Sequence, residues 1–407
     1  MKRTKIIISL FIFLSFMVSA ALLAAPEEKV EMNKGLLTEI PFRLHGSMIV
    51  AELTVDDSVP LSFIFDTAAG GAVINAKTAA KLGIVGDEIV SREGATGRAQ
   101  IVRSKNHAVN IGNLRLRNMT LGIAELGHIE RSLGMRIDGV IGWPILSRYA
   151  VKVNYDAMQI EIYDSGKFDS GPGGAGYDID VQGTVIFTNV TVTLQNGESF
   201  SGKVLVDTGS GGTISFNTPF AEENDLLAKI GKYYEWESQG LSTDKARTCI
   251  TIIESLKVGD HKFAAVPVSI AFAKAGAASW PRIMGILGND VLKRFNMFID
   301  LKNKKMFLEP NQLYSEAFAI NCSGLKLALD DTLQKVIVDY VSEGSPAHEE
   351  GLKAGDEIVR IDGKIASQLG LPQVRIMLSQ AGKKVEIVVD RKGETRSCLL
   401  KLRPLIQ

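Results

Sequence analysis

The chain has 407 residues, 45% of them hydrophobic, and its 46 basic and 46 acidic side chains cancel. That length exceeds one compact core and implies two or three domains, while the lack of a basic surplus argues against nucleic acid or an anionic membrane surface as partner. Three cysteines (Cys249, Cys322, Cys398) are too few for a disulfide framework, and five scattered histidines without metal-ligand spacing point to no metal site and no cofactor.

The first residues read as an export signal. Lys2, Arg3 and Lys5 precede an apolar run over 6–18, and small residues through Ala24 and Ala25 lead into Pro26-Glu27-Glu28. So short an apolar core favours cleavage over a retained anchor, so residues 1–25 are expected to be removed from a chain exported to the periplasm or beyond, with no membrane span remaining. Alternating or apolar segments over 40–44, 48–55 and 61–65 then form a strand meander that ends in Asp66-Thr67-Ala68. A short helix over 75–82 has Asn75 as cap and Gly83 as stop. Residues 91–97 form a hairpin tip. Val140-Ile141-Gly142 follows, and Val151, Val153 and Tyr155 alternate toward a turn from which Ile160 and Ile162 return.

Residues 165–176 are a Gly-rich linker, and beyond it the pattern replays. Strands over 184–194 and 202–206 deliver Asp207-Thr208-Gly209, and Asn217-Thr218-Pro219 starts a helix. Strand-like segments over 249–253 and 266–271 precede Ile286-Leu287-Gly288, after which Met297, Ile299 and Leu301 alternate and Met306 and Leu308 return. Gly142 aligns with Gly288, Leu146 with Leu292 and Arg148 with Arg294, so the chain carries an internal duplication.

An Asp in such a turn can serve simply as a turn cap. Two copies with the same downstream motif favour a different reading, in which the halves bring Asp66 and Asp207 together. Like-charged carboxyls within hydrogen-bond reach cannot both ionise easily and end up sharing a proton. One can then take a proton from water while the other donates to a carbonyl oxygen, which is general acid–base hydrolysis. Thr67 and Thr208 would bond across the seam. Ala68 and Gly209 would let the turns meet and offer amides to the carboxylates, with Gly142 and Gly288 where backbones cross beneath.

At these residues the chain resembles the retropepsin-like and pepsin-like aspartic proteases, specifically the secreted bacterial kind that carries a PDZ domain. The resemblance rests on Asp66-Thr67-Ala68 with Val140-Ile141-Gly142, and on Asp207-Thr208-Gly209 with Ile286-Leu287-Gly288. It implies a mainly β fold with two homologous retropepsin-like lobes over 36–164 and 177–310, followed by a PDZ α+β domain over 321–407. It further implies Asp66 and Asp207 as the catalytic pair, a polypeptide substrate and a monomer with pseudo-dimeric lobes. Ala68 stands where the family has Gly, and the hairpin tip over 91–97 lacks the Tyr of a pepsin-type flap. If that turn needs the glycine conformation the pair is misaligned, which leaves open an inactive peptide-binding or chaperone-like protein.

Gly344-Ser-Pro-Ala347, Gly351-Leu-Lys-Ala-Gly-Asp356 and Ile361-Asp-Gly363 resemble a bacterial PDZ domain. The resemblance implies that a peptide adds beside the strand after Gly324, against a helix over 372–380, guiding substrate or gating access. Leu325, Leu327, Val374 and Leu378 would line that groove, and the same four also suit plain core positions. Ser323 occupies the preceding loop where an apolar residue is common.

Overall fold

The computed structural model describes residues 35–167 and 176–406, so the export-signal reading and most of the Gly-rich linker lie outside the described residues. The fold is mainly β. Strand Leu61–Phe65 runs parallel to Gly139–Ile141, whose other side pairs antiparallel with Ala72–Asn75, which in turn lies parallel to Leu114–Ala124. In the second half Ser199–Asp207, Gly285–Gly288, Ile214–Phe216 and His261–Phe272 repeat those neighbours in the same directions. Each half also curls its sheet back on itself. Met48–Val55 pairs with both Leu61–Phe65 and Arg98–Ile111, and Val185–Thr193 pairs with both Ser199–Asp207 and Lys245–Val258.

The halves share one apolar core that includes Phe63, Phe65, Ile141, Val206, Leu287 and Phe295. They also share a sheet. The alternation noted at Val151 and Val153 belongs to strand Ala150–Asn154, which pairs antiparallel with Phe295–Asp300, Val151 opposite Ile299 and Val153 opposite Met297. The return strands Gln159–Tyr163 and Lys305–Pro310 flank this seam. The Asn296 side chain crosses it, its Oδ1 accepting from the Tyr155 amide at 2.9 Å and the Asp156 amide at 3.2 Å.

A third unit has its own sheet, in the order Leu325–Leu329, Val336–Val341, Glu357–Ile361, Lys384–Arg391 and Glu394–Lys401, and its own core around Val338, Ile358, Val374 and Ile387. The helix expected over 372–380 is placed earlier, as Ala366–Leu378 broken at Gly370, whose φ of 75° ends one helical piece and starts another. Pro372 then sits in the first turn of the second piece, where its missing N–H costs nothing. Among the described residues no helix is long and apolar enough to cross a membrane. All three cysteines are free thiols.

Phe298 anchors the shared sheet, 1% exposed, with its ring 5.8 Å from Tyr163 and 5.9 Å from Phe307, both edge-on. Phe298→Ala is expected to cost about 3–5 kcal/mol of stability, and Phe298→Leu clearly less, as measured by urea unfolding followed by tryptophan fluorescence.

Candidate active site

Asp66 and Asp207 each terminate a buried apolar strand, at the point where the chain turns away from a parallel neighbour. The Asp66 amide donates to the Ile141 carbonyl at 2.9 Å, and Asp207 pairs in register with Gly288. The two turns are tied to one another by four reciprocal bonds. Thr67 Oγ1 donates to the Val206 carbonyl at 2.7 Å and accepts from the Thr208 amide at 3.0 Å. Thr208 Oγ1 donates to the Phe65 carbonyl at 3.0 Å and accepts from the Thr67 amide at 3.0 Å. Both threonines are 0% exposed. Each hydroxyl thus spends its proton and a lone pair on the opposite half, in a place no water reaches.

The carboxyls are oriented by their own turns. Asp66 Oδ1 accepts from the Ala68 amide at 2.7 Å and the Ala69 amide at 3.1 Å, and Asp207 Oδ1 accepts from the Gly209 amide at 2.9 Å. The Gly142 Cα presses on the first turn so closely that a Cβ there would lie 1.8 Å from the Asp66 carbonyl oxygen, and Gly288 meets the Gly212 carbonyl in the same manner. Gly209 is needed for another reason. A Cβ at that position would lie 2.4 Å from Asp66 Cγ, inside the carboxyl itself. Ala68 is in a different situation. Its φ is not positive, its amide keeps the bond to Asp66, and its methyl packs on the Phe187, Leu205 and Ile286 cluster of the other half. The turn therefore does not require the glycine conformation, and Ala fits where Gly209 could not be replaced.

Asp207 is 9% exposed, and burial pushes both carboxyls above the ordinary aspartate range. Asp207 is raised the further, by burial first and then by the negative charge of Asp66, with which it is within hydrogen-bond reach. Asp66 is held lower by the Ala68 and Ala69 amides and by the bond from Asp207. The pair consequently holds one proton in common.

The carboxyls open into a cleft of about 1970 Å³. Its roof is the tip of the hairpin formed by Glu88–Glu93 and Arg98–Ile111, which reaches across to the second half. The Ala277 and Ala278 amides donate to the Gly94 and Ala95 carbonyls, each at 2.9 Å, and Thr96 Oγ1 donates to the Asp244 carbonyl at 3.0 Å. A matching hairpin, Tyr234–Gln239 with Lys245–Val258, meets it from the other side. Sequence reasoning missed this second tip, although the register of the duplication would have placed it near Gly240. It also missed helix Gly127–Leu133, which packs against strand Leu325–Leu329 and whose His128 ring bonds the Gly240 carbonyl at 3.0 Å.

The third unit closes one end of the cleft. Leu325, Leu327 and Leu378 line it, yet each is at most 4% exposed and belongs to that unit's core. Val374 corrects the groove expectation: it is 0% exposed, lies in the core and does not line the cleft. Gly324 also stays out of the cleft lining, with φ 82° and a Cα against Ser345. A helix seated against a sheet face buries its apolar stripe, which is why Val374 turns inward.

Comparisons with known proteins bear on the same segments. Residues 51–145 match the family model described as aspartyl protease, and residues 308–402 match the model described as PDZ domain. An Arabidopsis thaliana protein named "Putative protease Do-like 14" is 39% identical over 69 residues, which is 17% of this chain and 14% of that protein. Among solved structures, the aspartic proteinase from Irpex lacteus aligns with 69% of this chain and 98% of its own at 14% identity and a TM-score of 0.44. The photosystem II D1 C-terminal processing protease aligns with 23% of this chain and 26% of its own at 28% identity and a TM-score of 0.21. The chain thus carries an aspartyl-protease-like segment followed by a PDZ-like one.

Two expectations follow from the geometry. Gly209→Ala is expected to cost about 1–3 kcal/mol through overpacking, whereas Ala68→Gly costs no more than about 1 kcal/mol, both read by urea unfolding. The raised carboxyl pKa values mean that the folded chain keeps protons which the unfolded chain releases above its ordinary aspartate value of 3.8. The pair's favourable contribution is therefore complete below that value and is lost as pH climbs through the pair's own titration. Asp207→Asn removes this loss, so its melting temperature should gain on wild type between about pH 4 and about pH 8; a constant difference across that range would contradict it.

Proposed function

We propose that this aspartic-protease-like, PDZ-bearing chain is an exported endopeptidase that hydrolyses peptide bonds through Asp66 and Asp207. The observation that carries the reading is the pair itself: two carboxyls at the floor of an open cleft, held in place by the four Thr67–Thr208 bonds and sharing one proton. The ionised member of the pair takes a proton from water. The protonated member donates to the carbonyl oxygen of the scissile bond, and the tetrahedral species that results needs no covalent link to the protein. An extended polypeptide suits the cleft because strand-like backbone can lie between the two hairpin tips that roof it. Export is supported by the basic, apolar and small-residue pattern of the first residues.

Ala68 was the one ground for an inactive binding protein. Because its backbone is not left-handed and its amide still reaches Asp66, the departure removes no bond from the pair.

The test is cleavage of an unfolded protein and a mixed peptide library between about pH 3 and about pH 7, comparing the mature chain with Asp66→Asn and Asp207→Asn. Each substitution is expected to lower cleavage by at least about 100-fold, because each removes one partner of the proton exchange. Activity should decline once pH exceeds the upper titration of the pair. Equal cleavage by wild type and either variant would overturn the assignment.

A further inference from the structure

The cleft that holds the two carboxyls continues to the PDZ unit, where Leu325, Leu327, Pro372, Arg375 and Leu378 form its wall. Of the two cations on that wall, Lys326 is paired with Asp339 at 2.9 Å. Arg375 has no acidic partner among the described residues. Its Nη2 donates to the Ser132 carbonyl and to the Leu327 carbonyl, each at 2.7 Å. Its Nε and Nη1 have no protein acceptor among the described residues, and its side chain is open to solvent within the cleft.

A PDZ-type groove that reads a chain end needs free amides in the loop before its strand. Here they are spent. Asn321 Oδ1 accepts from the Ser323 amide at 2.9 Å and from the Gly324 amide at 2.8 Å, while the Leu325 amide donates to Ser323 Oγ at 3.1 Å. The Leu325 carbonyl is likewise occupied, accepting from Asn321 Nδ2 at 2.9 Å. Ser323 is 0% exposed, which completes a sealed loop. A terminal carboxylate would find no donor there. Opposite the middle of the strand, Arg375 offers two.

We propose that Arg375 is an exosite for an Asp or Glu side chain within a polypeptide that extends from the cleft, and that the PDZ unit does not read chain ends. A guanidinium that already fixes two carbonyls has little left to lose in side-chain entropy. A carboxylate reaching its free N–H groups forms a charge-assisted bond in a cleft that is partly shielded from water. Arg375 is on this view a specificity-determining residue, remote from the reacting atoms. The proposal rests on a polypeptide occupying the cleft, and its test reads binding in a chain carrying both Asp66→Asn and Asp207→Asn, so that a failure of the cleavage reading registers separately.

The probes are fluorescent peptide libraries of fixed length with neutral random positions and one central Glu, the same libraries with Gln in its place, and each in free-acid and C-terminally amidated form. The Glu library is expected to bind at least about tenfold more tightly than the Gln library, with the difference shrinking at high salt. Amidation should change nothing. Arg375→Ala should erase the Glu preference while Arg375→Lys retains part of it, and the Lys variant guards against loss through misfolding. Equal binding of the Glu and Gln libraries, weaker binding after amidation, or no binding of either library would overturn the proposal.

Discussion

The exchange of four hydrogen bonds between Thr67 and Thr208 is the constraint on which the rest of the molecule depends. Taken singly, a buried hydrogen bond contributes only about 1 kcal/mol, but leaving one of these carbonyls or amides unpaired costs about 1–3 kcal/mol. The arrangement is therefore close to all-or-none. With both hydroxyls committed, the two turns can approach in only one relative position, and that position forces one carboxyl against the Cα of Gly209. The raised proton affinity of the pair is a result of this fixed approach together with burial. The shared apolar core and the strand pairing of Val151 with Ile299 hold the halves together at a distance from the turns, which leaves the cleft itself open.

Much of the candidate site could be read in the residues. The two Asp-Thr strings, their shared downstream glycines and the alternation at Val151, Met297 and Met306 are local signals, and local signals survive in a single sequence. The same holds for the Asn75-capped helix, found as Ala76–Lys81 with the Asn75 side chain accepting from the Lys77 amide. What escaped notice depends on tertiary placement. Helix Gly127–Leu133 has no side-chain cap and too few residues to show a period. Strand Tyr234–Gln239 alternates only over Tyr234-Glu-Trp-Glu237 before polar Ser238 and Gln239, too short a run to stand out by itself. The difference between Ala68 and Gly209 is likewise invisible in the string, because it arises from which half approaches which carboxyl.

The PDZ unit shows a different case, in which a local motif pointed to the right region but Val374 turned out to be a core side chain. The PDZ resemblance implies a groove position for Val374, a place on the helix that equally fits a core position. Only the break at Gly370 and the turn of the helix against the sheet decide between them. Arg375, one residue further on, projects into the cleft by the same helical geometry. The unit also touches both sides of the cleft mouth. Arg131 of the first half pairs with Asp331 at 2.6 Å, and the Ser342 hydroxyl donates to the Glu235 carbonyl of the second hairpin at 2.8 Å. Its position is thereby coupled to that of the roof.

The strand seam between the halves also bears on how the molecule comes into being. Val151 must wait for Ile299, and Thr67 for Thr208, so the contacts that define the carboxyl pair close loops on the order of 150 residues, the kind of long-range pairing that slows folding. During synthesis the first half leaves the ribosome with strand Ala150–Asn154 still lacking its partner on one side and with a solitary Asp66. The carboxyls are brought together only after Thr208 and the strand from Phe295 have emerged, so their apposition is denied to the unfinished chain by topology alone.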